Sequence, residues 1–87
     1  MKAVLIMGSD SDRDHAKKIT SSLEKLGVKF EILVASAHKN PEKVLEIIRA
    51  YKKGDKIVFV TIAGRSNALS GFVAANTEKP TFACPPF

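Results

Sequence analysis

Two hydrophobic periods alternate along this chain, and that alternation limits what it can fold into. Residues 3–7, 28–34 and 57–62 are short runs with little or no polar interruption, the last rich in β-branched side chains. Such runs, bounded by turn residues, suit strands buried on both faces. Between them the period changes to that of a helix. Ala16, Ile19, Leu23 and Leu26 recur at helical spacing over residues 14–26, and Gly27 follows as a stop signal. Val44, Leu45, Ile47, Ile48 and Tyr51 form a second stripe, with Pro41 suited to the first helical position and Asn40 to its N-cap. Gly54 and Asp55 turn the chain into the third run. Residues 68–75 read as a small, apolar, buried helix. Residues 80–84 read as a fourth short strand, ended by Pro85 and Pro86. The order β-α-β-α-β-α-β requires crossover helices, so the expected fold is α/β, a three-layer αβα arrangement around a parallel sheet of four strands.

Eighty-seven residues allow at most one domain, spanning 1–87. Hydrophobic residues at 45% and charged residues at 26% match a globular chain and argue against disorder. The net charge of +5 fits nucleic acid, a membrane surface or an acidic metabolite. The lysines are spread through the helical stretches without interleaved aromatics, so the expectation is no nucleic-acid partner and a solvated helix surface. No segment approaches the ~20 apolar residues of a membrane helix. Residues 1–7 do not make a signal peptide, and a cytoplasmic protein is expected. The single cysteine, Cys84, excludes an internal disulfide and the usual zinc cluster. Its plainest role is that of a small buried hydrophobe.

In an open parallel sheet, ligands bind beyond the carboxyl ends of the strands. Three loops fall there. The first, Gly8-Ser9-Asp10-Ser11-Asp12, leads into a helix. Gly8 permits a tight turn and close ligand approach, while hydroxyls, backbone N–H groups and the helix N-terminus suit a phosphate. Asp12 fits a ribose hydroxyl or ring amine better than a phosphate. Helix capping is the plainer role of these Ser and Asp residues. The second loop, Ser36-Ala37-His38-Lys39-Asn40, holds the only histidine at a strand end. An imidazole with an unperturbed pKa of about 6.5 exchanges protons near neutrality. Lys39 can neutralise an anion or face solvent. The third loop runs Ala63-Gly64-Arg65-Ser66-Asn67. Arg65 can grip an oxyanion through two parallel hydrogen bonds, and Ser66 and Asn67 can cap the following helix. Neither a Walker loop nor a GxGxxG motif is present. The residues by themselves support a phosphate-bearing small molecule and a candidate histidine acid–base.

Taken together, the loops resemble those of the PurE family of purine biosynthesis. Met7-Gly8-Ser9-Asp10-Ser11-Asp12 is similar to its phosphate-binding loop, and Ser36-Ala37-His38-Lys39-Asn40-Pro41 to its Ser-Ala-His-(Arg or Lys)-x-Pro loop. Residues 63–71 differ from the Gly-Gly-Ala-Ala-His-Leu-Pro-Gly of the mutase branch. With Lys39 and Ala83-Cys84-Pro85-Pro86 they resemble the carbon-dioxide-using (class II) branch. The resemblance spans the whole chain and implies a flavodoxin-like sheet. Family members are longer, continuing through a further strand, another active-site loop and C-terminal helices. The chain therefore looks truncated at its C-terminus, equivalent to the N-terminal portion of the family domain.

The resemblance further implies ATP-independent carboxylation of aminoimidazole ribonucleotide by carbon dioxide, without cofactor or metal. His38 would be the catalytic acid–base. Gly8, Ser9, Asp10, Ser11, Asp12, Ser36, Ala37, Lys39, Ala63, Gly64, Arg65, Ser66 and Asn67 would bind the substrates. A homo-oligomer, an octamer in this family, is expected. The alternatives are the rearrangement of N5-carboxyaminoimidazole ribonucleotide, and a nucleotide-binding fragment without activity.

Overall fold

A computed structural model describes residues 1–52, 54–63 and 68–85. Four strands, β1 (Lys2–Met7), β2 (Lys29–Val34), β3 (Ile57–Ile62) and β4 (Thr81–Ala83), form one sheet in the order β2-β1-β3-β4. Every pairing is parallel. Helices α1 (Arg13–Lys25), α2 (Pro41–Arg49) and α3 (Ala68–Asn76) make the crossovers. The α/β class, the parallel sheet and the flavodoxin-like order expected from the sequence are all present.

β1 is central, and its side chains alternate between two apolar layers. Val4 and Ile6 pack with Val44, Ile47 and Ile48 of α2 and Leu69 and Val73 of α3. Ala3, Leu5 and Met7 pack toward Ala16, Ile19 and Leu23 of α1. Residues 3–7 are accordingly buried throughout, which explains an apolar run without alternation. β2 lies at the sheet edge and is only half-buried, so it admits Lys29 and Glu31. The α1 helix ends at Gly27, whose φ of 73° lies in the left-handed region that glycine enters without Cβ strain.

Two expectations are corrected, and the expected reach of the fourth strand is met by its hydrogen bonds. A short 3-10 turn over Asp10–Asp12 precedes α1, which begins at Arg13 rather than 14. Ser9 caps that turn through its Oγ, which accepts the Ser11 N–H. The α3 helix buries only Leu69 and Val73, while Gly71, Ala74 and Ala75 are exposed. Small side chains satisfy the apolar pattern read from the sequence without requiring cover on every side. β4 is assigned over Thr81–Ala83, yet the pairing reaches residues 80–84. Phe59 N–H donates to the Pro80 carbonyl at 2.9 Å, and Cys84 N–H to that of Thr61 at 2.8 Å. Cys84 is half-buried against the α1-side layer.

Candidate active site

The sheet itself brings the loops together. The Ala35 N–H donates to the Met7 carbonyl at 2.9 Å, fastening the exit of β2 to that of β1. The Gly8 N–H donates to the Ile62 carbonyl at 2.8 Å, fastening β1 to β3. The three chain exits are thus neighbours at the carboxyl edge. The chain leaves β1 for β2 on one side and reaches β3 on the other, and this reversal of strand order is where such sheets open a crevice.

The first loop offers donors. The Ser11, Asp12 and Arg13 N–H groups are used within the 3-10 turn. Those of Ser9 and Asp10 take no partner among the described residues. Ser9 Oγ and Ser11 Oγ share a 2.9 Å hydrogen bond. Asp12 occupies the N-cap position of α1, but its side chain makes no capping bond, so its half-buried carboxylate is available to a ligand. The capping role falls to Ser9 instead. Asp10 accepts from Arg13 Nη2 at 2.6 Å and from Nε at 3.1 Å, which offsets an acidic charge that would oppose a phosphate. Both partners are exposed, so the pair shapes the local field more than it stabilises the fold. Arg13 was not singled out in the sequence. Its spacing of three from Asp10 on a helix entry was the available signal.

Gly8 is not required by backbone geometry. Its φ lies outside the left-handed region, and an added Cβ would meet the Ala63 Cβ at 3.6 Å and the Ile62 carbonyl oxygen at 3.8 Å, ordinary contacts. The turn therefore does not draw on the conformational freedom of glycine at this position.

In the second loop the Asn40 side chain does not cap α2, contrary to expectation. Its Oδ1 accepts the Ser36 N–H at 2.7 Å. Ser36 Oγ in turn accepts the N–H groups of His38 and Lys39, each at 3.2 Å. A hydroxyl has two acceptor lone pairs and one hydrogen, so Ser36 retains only a donor for a ligand. His38 and Lys39 are exposed at the tip of this turn, and Ala37 packs partly against the α2-side layer. Ala63 follows β3 and is half-buried beside Gly8. Gly64, Arg65, Ser66 and Asn67, assigned to the site from sequence, lie outside the described residues, as does Pro86.

The titrating groups held away from their ordinary values lie elsewhere. At the amino end of the sheet, Glu31 Oε2 accepts from Lys2 Nζ at 2.8 Å and from Tyr51 Oη at 2.7 Å. The Lys2 hydrogen bond, then that of Tyr51, holds the Glu31 carboxyl below its ordinary value. An open groove of about 610 Å³ lies at that same end, between Arg49, Tyr51, Lys56, Asn76 and Pro80. Among the described residues, no three His, Cys, Asp or Glu side chains gather to hold a metal, and no helix is long and apolar enough to cross a membrane.

Strand order and loop placement define the class, a flavodoxin-like α/β protein whose candidate ligand-facing loops share the carboxyl edge of the sheet. Comparison with known proteins then identifies the family. The chain belongs to the AIR carboxylase family, which it matches over residues 2–87. It is 64% identical over 87 residues to the phosphoribosylaminoimidazole carboxylase of Archaeoglobus fulgidus, covering 100% of this chain and 48% of the relative. It is 47% identical over 81 residues to the N5-carboxyaminoimidazole ribonucleotide mutase of Methanocaldococcus jannaschii, covering 93% of this chain and 50% of the relative. The crystal structure of Treponema denticola PurE superposes with a TM-score of 0.92 at 45% identity, covering 98% of this chain and 54% of that one. The chain thus spans about half the length of the relatives it matches.

Proposed function

We propose that this chain carries the nucleotide-holding loop and the proton-transferring histidine of an aminoimidazole ribonucleotide carboxylase. The observation that carries the reading is the fastening of the two loops by the Ala35–Met7 hydrogen bond. It sets the His38 turn beside a loop with unpartnered N–H donors. Ser9, Ser11 and the free N–H groups hold the 5′-phosphate. Asp12 accepts from a ribose hydroxyl or the ring amine. Carbon C4 of the aminoimidazole attacks carbon dioxide, held near Ala63 and Gly64. The new carboxylate draws on donors at Ser36, Ser66, Asn67 or Arg65. C4 then carries both a proton and the carboxylate. His38 takes that proton, the ring regains aromaticity, and the reverse steps release carbon dioxide. Lys39 adds positive charge at the same edge. A homo-oligomer completes the assembly.

The likeness to a mutase at 47% identity favours one second reading, transfer of a carboxyl group from N5-carboxyaminoimidazole ribonucleotide. Offering each substrate without ATP separates the two. The carboxylase reading expects product from aminoimidazole ribonucleotide and carbon dioxide. Product from N5-carboxyaminoimidazole ribonucleotide alone overturns it in favour of the mutase. Because the chain spans about half of its relatives, a rise in melting temperature with nucleotide and no turnover from either substrate identifies a binding portion.

A further inference from the structure

We propose that Asn40 is a positioning residue for His38, its side chain closing the turn that presents the imidazole. The inference rests on the reading of His38 as the proton carrier, and it concerns a residue whose side chain is free of its expected duty. An asparagine at a helix N-cap ordinarily accepts an N–H from the first turn of the helix. Here it makes no such bond; the Lys43 N–H donates to the Asn40 backbone carbonyl at 3.1 Å instead.

The side chain turns back across the loop instead. Oδ1 accepts the Ser36 N–H at 2.7 Å while the Asn40 N–H donates to the Ser36 carbonyl at 3.0 Å. Ser36 and Asn40 are thus tied to each other twice, and residues 37–39 are enclosed between them. Within that ring Ser36 Oγ holds the His38 and Lys39 N–H groups, each at 3.2 Å. The 2.7 Å bond is the shortest of the set, and the two to Ser36 Oγ depend on Ser36 being in place. Asn40 is therefore the anchor of an exposed turn that has little apolar packing to fix it. A misplacement of about 1 Å at a reacting group can lower turnover by about 100-fold. A side chain one turn away from His38 can set its rate without touching the substrate.

The test compares Asn40→Ala with Asn40→Asp, which retains the accepting oxygen. Backbone order parameters and amide exchange of Ser36, His38 and Lys39 are measured by NMR, alongside kcat and KM for aminoimidazole ribonucleotide. For Asn40→Ala the proposal expects order parameters at His38 and Lys39 to fall from about 0.85 to below about 0.6. It expects kcat to fall about 10- to 100-fold with KM changed by less than about twofold. Asn40→Asp should restore order and kcat, with any cost confined to KM through its added charge. Unchanged order in Asn40→Ala overturns the proposal whether or not the chain turns over. So does lost order with unchanged kcat. His38→Asn run in parallel keeps the two ideas apart: full turnover there removes the proton-carrier reading, while the amide data still judge the turn.

Discussion

Glu31 shows how a single residue combines edge protection with a pH dependence. It is a charged side chain on an edge strand, turned toward the α2 side of the sheet, in register with Val4. Such an inward charge discourages edge-to-edge pairing with a second chain, provided partners satisfy it at home. Lys2 and Tyr51 are those partners. Tyr51 also packs edge-on to Phe59 at 6.0 Å, and Lys2 Nζ lies 5.5 Å from the Tyr51 ring centre, so the cluster staples β1, β2 and the end of α2. The carboxyl of Glu31 sits below its ordinary value of 4.5, chiefly through the Lys2 hydrogen bond. Its contribution to stability is therefore full above 4.5 and is lost as pH falls through the lower folded value. Lys2 is shifted upward from 10.5, mainly by its hydrogen bond to Glu31, so its share is full below 10.5 and is lost as pH climbs through the higher folded value. Melting curves of the parent and Glu31→Gln should differ by a constant amount near neutrality and converge as pH falls below 4.5 through the lower folded value. A gap that stays as wide in acid as near neutrality would contradict this account.

At the scale of elements, the apolar periods made three strands and two helices legible, because burial on one or two faces is what those periods encode. Element ends were less legible, since they depend on which side chain reaches which N–H. Ser9 capped where Asp12 was an equal candidate, and Asn40 turned away from its helix altogether. The sequence also cannot distinguish edge from centre, and the neighbouring strands β3 and β4 show why. Phe59 in β3 is fully buried, whereas Phe82 in the edge strand β4 is 56% exposed, in register with Val60. The same side chain should therefore carry different weight. Phe59→Ala should lower stability by about 3–5 kcal/mol, cavity included. Phe82→Ala should cost less than about 1 kcal/mol and reduce self-association through the exposed edge. Denaturant unfolding of both variants checks the ranking, and equal losses would mean that Phe82 is covered in solution.

Across the whole molecule, the position of the candidate site followed from topology alone. Once β1 is placed between β2 and β3, its exit must adjoin both of theirs, and the Ala35–Met7 and Gly8–Ile62 bonds make that contact. The details within the site were hidden because they are set by short-range competition among polar groups. Arg13 takes up Asp10, Ser36 spends both lone pairs on its own turn, and Gly8 proves unconstrained by its backbone. The central claim is that the first two loops serve one ligand, the first by holding it and the second by moving its proton. The most direct measurement is ATP-free incorporation of labelled carbon dioxide into aminoimidazole ribonucleotide by the parent and by His38→Asn, with nucleotide affinity measured on both. The account predicts affinity within about twofold and incorporation lowered by about 100- to 10,000-fold in the variant. Incorporation by a folded His38→Asn protein at close to the parent rate would contradict it.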